Sequence, residues 1–323
     1  MQNSYSNAGV SIDSANILNG ILKKEFNADN LGNNFAGLYE HPYIPEYFLV
    51  ACTDGIGTKL IPLAKRGLVE TIANDLIAMN LNDLICVGAK PMFFLDYFAT
   101  NKLDVELTSK FIIALRAELQ KYNCSLLGGE TSELGSLIKE DCFDIGGFMV
   151  GIVKKDSVLD RKNVEADDVV IALKSSGPHS NGYSLIRALH DSGQLSDEMF
   201  EKSLEPTFIY ANVISKLVDK KLINACANIT GGGIGDNLQR AIPDGKVAIV
   251  YKSKILKQEI FEKLGALVGE DEAYKTFNMG VGFCIIAPEK NAQEVCKICE
   301  EYEPVIIGNV VKNTQKLSKI SFL

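Results

Sequence analysis

The chain has 323 residues, 46% of them hydrophobic, and a formal net charge of -8. That length leaves room for two domains of ordinary size. The acidic balance and the absence of any long basic run argue against a nucleic-acid or membrane-surface partner.

The opening "MQNSYSNAGVSIDSAN" has neither a basic n-region nor an apolar h-region and reads as lacking a secretory leader. No stretch approaches the roughly 18 uninterrupted apolar residues of a membrane span. The first strand-like run, 47–53, leads into "TDGIGTKL" (53–60). In a Walker loop, backbone amides cradle phosphate and a lysine follows the last glycine. Here the glycines stand two apart, Thr58 precedes Lys59, and Asp54 sits at the strand end. A phosphate site of another design and a plain tight turn both fit.

"ETIANDLIAMNLNDLICVGA" (70–89) predicts a helix. At about 100° per residue, Ile72, Leu76, Met79 and Asp83 fall within about 60° of one another, so Asp83 lies in line with an apolar stripe. Leu81, Ile77, Ile85 and Ala78 cover the opposite side, which makes a helix buried on two faces. Asp75 and Asn82, seven apart, share a third line. A carboxylate on a buried face needs a hydrogen-bond partner, a proton or a metal. A strand at 92–100 and a helix at 105–122 lead to "LLGGETSE" (126–133), read as a Gly-Gly turn followed by Glu130. Asp54, Asp83 and Glu130, from three segments, offer oxygen ligands of the kind Mg2+ takes alongside phosphate oxygens and waters.

After a strand at 143–153, the polar, proline-free stretch 154–168 is the candidate link between domains 1–160 and 161–323. The next strand, 168–177, ends in Ser-Ser-Gly and opens "SSGPHSNGYSLIRAL" (175–189). Pro178 stiffens this loop, His179, Ser180 and Asn181 carry compact polar groups suited to a phosphate or amide, and a helix starts near Gly182. A functional and a structural role for His179 both stand; His41 and His190 read as surface residues. "ITGGGIGDNLQRAI" (229–242) runs from glycines onto a helix with Leu238 and Ile242 as its stripe and Asp236 as its cap. It suits an anion or a simple turn. Further strands fall at 246–252 and 280–288. Strands alternating with helices indicate a mixed α/β, α+β architecture rather than a bundle or sandwich.

The eight cysteines, at 52, 86, 124, 142, 226, 284, 296 and 299, lie mostly in apolar runs and suggest a reduced, cytoplasmic protein. Cys296 and Cys299 form a C-x-x-C without the second ligand pair a zinc site needs. A serine hydrolase lacks its G-x-S-x-G elbow, since Ser136 has glycine on one side only.

"YSNAGVSIDSAN", "TDGIGTKL", "DLIAMNLNDL", "GAKPMFFLDYFAT", "GGETSE", "SSGPHSNGYSLIR", "ITGGG" and "YKTFNMGVGF" together resemble the aminoimidazole ribonucleotide synthetase family, the phosphoribosylformylglycinamidine cyclo-ligases. They do so in order and over nearly the whole chain. The resemblance implies ATP-dependent cyclisation of formylglycinamidine ribonucleotide to 5-aminoimidazole ribonucleotide, with release of ADP and phosphate, in de novo purine biosynthesis. It implies two domains, each a mixed sheet packed with helices, and a homodimer whose N-terminal sheets pair into a barrel with ATP nearby. No nucleic-acid or membrane partner is implied.

Carried over residue by residue, the resemblance gives catalytic roles to Asp54, Lys59, Asp83 and His179. It places Mg2+ on Asp54, Asp83 and Glu130, and admits K+. ATP would meet Lys23, Gly55, Gly57, Thr58, Lys59, Asp75, Asn82, Gly128, Gly129 and Thr131. The ribonucleotide would meet Ser176, Gly177, His179, Ser180, Asn181, Thr230, Gly231, Gly232 and Gly233. Ser11 and Ala15 depart from the family pattern, as do Gly135 and Ser136 and the thinned glycine segment "LGNNFAG". The first cysteine, Cys52, stands too late for the reactive residue of a selenophosphate synthetase. The "SGPHSNGYSL" block sets the chain apart from thiamine-monophosphate kinase. A catalytically silent ATP-binding scaffold is the alternative from another class.

Overall fold

The computed structural model describes residues 17–18 and 35–323; Ser11, Ala15 and Lys23 lie outside the described residues. Strands β1 (Gly37–Glu40), β2 (Tyr47–Gly55), β3 (Lys90–Thr100), β4 (Ser125–Glu133) and β5 (Phe143–Lys154) form one sheet, ordered β1-β2-β5-β3-β4. β3 and β4 run parallel, and the helix Val105–Gln120 supplies the crossover that parallel neighbours require. Asp104 caps that helix, accepting from Leu107 N at 3.0 Å.

β5 shows how one face becomes the core. Ile145, Met149 and Val153 are buried, with Gly147 and Gly151 between them, while Phe148 points outward at 40% exposure, the period of two expected of a strand. The long helix Val69–Ile85 lies on the inner face. The glycines admit it: a Cβ on Gly147 would overlap the Phe94 ring and come within 2.7 Å of Asn80 Nδ2, and one on Gly151 would meet Leu84 Cδ2 at 2.8 Å. Ile72, Leu76 and Met79 are buried, as are Ile77, Leu81 and Ile85 on the other side, so the two-sided pattern is borne out. The helix stops before 86–89, where Gly88 takes φ +81 and a Cβ would lie 2.9 Å from Ser157 O.

The second sheet comprises β6 (Val169–Lys174), β7 (Ala225–Asn228), β8 (Lys246–Val250), β9 (Val281–Ala287), β10 (Val305–Lys312) and β11 (Ile320–Phe322), ordered β11-β8-β10-β6-β9-β7. β6 and β9 are buried almost throughout, which is why they read as continuous apolar runs. Residues 155–168 pass from one sheet to the other under restraint: Leu159 N donates to Val87 O at 3.2 Å and Asp167 N to Val310 O at 2.8 Å. No helix among the described residues is long and apolar enough to cross a membrane.

Two local expectations are corrected. Gly128 and Gly129 are no turn; they lie inside β4. Gly129 is there because the Asp96 carboxylate lies over it and a Cβ would overlap Asp96 Oδ1, the close approach that glycine in a strand commonly marks. Asp236 is no cap either. Gly232, at φ +89, occupies the N-cap of the helix Gly233–Leu238 without a side-chain bond, and Asp236 falls in its first turn.

Candidate active site at the domain interface

Loops that are far apart in sequence meet where the two sheets' domains join. β2 ends at Gly55, and a 3-10 turn, Gly57–Lys59, follows. Gly57, at φ +66, would place a Cβ 4.0 Å from Ser180 O. Thr58 Oγ1 and Ser184 Oγ are 3.1 Å apart, so the 53–60 and 175–184 segments touch. The 228–233 segment joins them, since a Cβ on Gly231 would lie 3.4 Å from Asn181 Oδ1. Asn237 holds that glycine run, its Nδ2 donating to Gly231 O at 3.1 Å and Gly233 O at 2.8 Å. Gly231 is exposed, whereas Gly232 and Gly233 are buried. A Cβ on Gly233 would meet Phe277 O at 2.8 Å, so part of the glycine run serves packing.

Asp54 and Asp83 come together. Asn80 fixes the end of β2, accepting from Asp54 N at 3.1 Å and donating to Asp54 O at 3.2 Å. Asp83 Oδ1 accepts from Asn228 Nδ2 at 2.8 Å, across the domain boundary. Burial pushes Asp83 up to about 7; the Asn228 bond opposes this, the Asp54 charge reinforces it, and Arg240 pulls it back. Asp54 is exposed, yet the protein around it still desolvates its carboxyl enough to raise its pKa. Two oxygen donors held above the ordinary carboxylate range suit a divalent hard cation, which favours their charged forms.

Glu130 is not part of this cluster within one chain. The register runs Asp54 to Gly147 to Asp96 to Gly129, which puts β4 three strand spacings, roughly 14 Å, from β2. Glu130 pairs with Tyr97, one residue on, and therefore projects from the opposite face of the sheet. Gly128 and Thr131 share that remote strand. Among the described residues no group of three or more His, Cys, Asp or Glu side chains is placed to hold a metal ion.

Three residues expected at the nucleotide are instead buried in contacts with protein. Lys59 and Asp75 are fully buried and form an ion pair at 2.7 Å. Asp75 Oδ1 accepts from Thr207 N at 2.7 Å. Asn82 Nδ2 donates to Phe208 O at 2.8 Å, and its Oδ1 accepts from Tyr210 N at 3.1 Å. The third line of the long helix, on which the sequence places Asp75 and Asn82, is thus the line that docks the second domain.

His179 is also enclosed. It is 2% exposed, and burial, reinforced by the Lys59 charge, lowers its pKa to about 3. Its Nε2 accepts from Ser176 N at 3.3 Å, which assigns the proton of the neutral ring to Nδ1. Enclosed in this way, the neutral ring braces its loop through the Ser176 N–H bond. Ser180 Oγ lies 3.3 Å from Thr207 Oγ1, and Ser176 Oγ donates to Pro206 O at 2.7 Å.

Sequence reasoning passed over Asn80, Asp96, Asn228, Asn237 and Arg240. Asp96 carried a signal, an acid inside the apolar run "MFFLDYFAT"; it is 6% exposed and burial raises it to about 6. Asn228 ends β7, with Ile229 and Thr230 between it and the glycine run. Arg240, whose guanidinium lies 3.6 Å over the Phe35 ring, carried none.

The two halves of the chain that carry these sheets match the AIR synthase related proteins. The family's N-terminal domain matches residues 36–153 and its C-terminal domain residues 165–318. A chloroplastic/mitochondrial phosphoribosylformylglycinamidine cyclo-ligase of Vigna unguiculata is 41% identical over 303 residues, covering 90% of this chain and 76% of that protein. The Clostridium perfringens (strain 13 / Type A) cyclo-ligase is 40% identical over 309 residues, covering 91% and 92%. The chain belongs to the phosphoribosylformylglycinamidine cyclo-ligase family. Among solved structures, AaThiL complexed with AMPPCP and TMP superposes with a TM-score of 0.69 at 17% identity, covering 94% of this chain and 92% of that one. HypE in complex with ATP gives 0.67 at 16%, covering 97% and 91%. These two likenesses bear on the fold.

Proposed function

We propose that the chain closes an imidazole ring, converting formylglycinamidine ribonucleotide and ATP to 5-aminoimidazole ribonucleotide, ADP and phosphate. The observation that carries this reading is the meeting of the 53–60, 175–184 and 228–233 segments beside the Asp54–Asp83 pair.

The chemistry asks for positioning and charge neutralisation more than for a protein nucleophile. A formamide oxygen leaves poorly, so the γ-phosphoryl is transferred onto it and ADP departs. The ribosyl-bearing amidine nitrogen then attacks the formyl carbon and loses its proton. The carbon–oxygen bond breaks, and the oxygen leaves within inorganic phosphate. Asp54 and Asp83 would hold Mg2+, which supplies positive charge against the phosphates. Gly55, Gly57 and Thr58 offer amides and a hydroxyl on the nucleotide side. Ser176 to Asn181 and Thr230 to Gly233 frame the ribonucleotide side, with His179 bracing its loop in neutral form. K+ would be a further cation outside the acid pair.

A second copy of the chain completes the site. Tyr97, Leu127 and Phe148 stand 47%, 63% and 40% exposed, and Glu130 shares the face of the first sheet that carries Tyr97. Pairing of two such faces would cover the apolar side chains and offer Glu130 to the partner's nucleotide site. The test is ADP release by the purified protein with Mg2+ and either formylglycinamidine ribonucleotide or thiamine monophosphate as acceptor. Release with the first alone supports the reading; release with the second overturns it.

A further inference from the structure

We propose that Lys59 is a positioning residue of the ring closure, setting the ribonucleotide-side loop through residues 205–210, and not a ligand of the nucleotide phosphates. This rests on the assignment of the two loops given above. The carbonyls of five successive residues each accept from a different side chain, and the donors come from both domains. Lys59 Nζ donates to Glu205 O at 2.7 Å, Ser176 Oγ to Pro206 O at 2.7 Å, and Asn74 Nδ2 to Thr207 O at 2.9 Å. Asn82 Nδ2 donates to Phe208 O at 2.8 Å and Tyr302 Oη to Ile209 O at 2.9 Å.

Lys59, Asn74 and Asn82 belong to the first domain, Ser176 and Tyr302 to the second. The segment is therefore a splint whose position is dictated by side chains of both. Lys59 follows Gly57 and Thr58 directly, while Ser176 and Ser180 lie in the loop that frames the ribonucleotide. Ser180 adds its contact with Thr207 Oγ1 at 3.3 Å, and Tyr210 Oη ties the end of the segment to Lys174 O at 2.8 Å. The Lys59 ammonium is fully enclosed between Asp75 Oδ2 at 2.7 Å, Glu205 O, and the Tyr183 ring at 5.6 Å. Turning it toward a phosphate would leave Asp75 charged, buried and without its ion-pair partner, a costly state. Its reach is toward the second domain, where its charge is felt at His179.

The test is equilibrium binding by calorimetry, with ATP and formylglycinamidine ribonucleotide measured separately. The proteins are wild type, the double variant Lys59→Met with Asp75→Asn, which leaves no buried charge, and Thr207→Val. In the double variant the ribonucleotide should bind about tenfold more weakly, with its KM raised in step and ATP affinity unchanged. Thr207→Val, which removes the hydroxyl that faces Ser180 and keeps the backbone bond to Asp75, should shift the same quantity in the same direction. Loss of ATP affinity with ribonucleotide affinity intact would return Lys59 to the phosphates and overturn the proposal. If the double variant does not fold, unchanged ribonucleotide affinity in Thr207→Val overturns it as well. A wild-type chain that binds ATP but no formylglycinamidine ribonucleotide would sink the cyclo-ligase reading itself, a separable failure.

Discussion

Replacing His179 by glutamine should flatten the acid side of the protein's stability profile. The imidazole is buried, and its pKa falls from the ordinary 6.5 to about 3, by burial first and by the Lys59 charge second. A base held neutral in the fold takes up its proton in the unfolded chain first. Its contribution is therefore full above pH 6.5 and is lost as the pH falls toward about 3. Between those limits each pH unit removes about 1.4 kcal/mol, so pH 5 lies about 2 kcal/mol below pH 8 on this account alone. Glutamine keeps an acceptor for Ser176 N–H but does not titrate. Urea unfolding of both proteins at pH 8 and pH 5 gives the comparison: the wild type should lose about 2 kcal/mol more than His179→Gln. Equal losses would mean that the ring is not held neutral in the fold.

Asp83→Asn removes a carboxylate that burial already raises to about 7; its urea midpoint should hold or rise while Mg2+-dependent turnover falls on the order of a hundredfold or more. Gly147→Ala should destabilise by about 1–3 kcal/mol in urea, because the new methyl meets Phe94 and the Asn80 amide that fixes Asp54. Phe148→Asp, on the outer face of the first sheet, should move the protein to monomer in sedimentation and reduce turnover with it. An unchanged sedimentation profile would place any second copy elsewhere.

What the sequence revealed follows from which forces leave a periodic trace. The strands at 47–53, 92–100 and 143–153 and the long helix were legible because burial imposes a period of two or 3.6 on apolar residues. β4 was misread because Gly129 is there for close contact with Asp96, and a glycine pair looks the same in a turn. The line of Asp75 and Asn82 was visible as a line, but its partner was not. Both side chains bond backbone groups at 207–210, and backbone donors and acceptors have no sequence signature. Glu130 stood in a motif with Thr131 and looked like a companion of Asp54, yet sheet register separates them. His179 was singled out by its loop, whereas its enclosure depends on Tyr210 and Phe208, more than two dozen residues on.

The central claim, that phosphorylation of the formamide oxygen drives ring closure here, is tested most directly by labelling that oxygen with its heavy isotope. Purified protein, ATP and Mg2+ should deliver the label into inorganic phosphate, one labelled phosphate for each 5-aminoimidazole ribonucleotide and each ADP formed. Ring product formed with the label released to water, or ADP formed without ring product, would contradict the account.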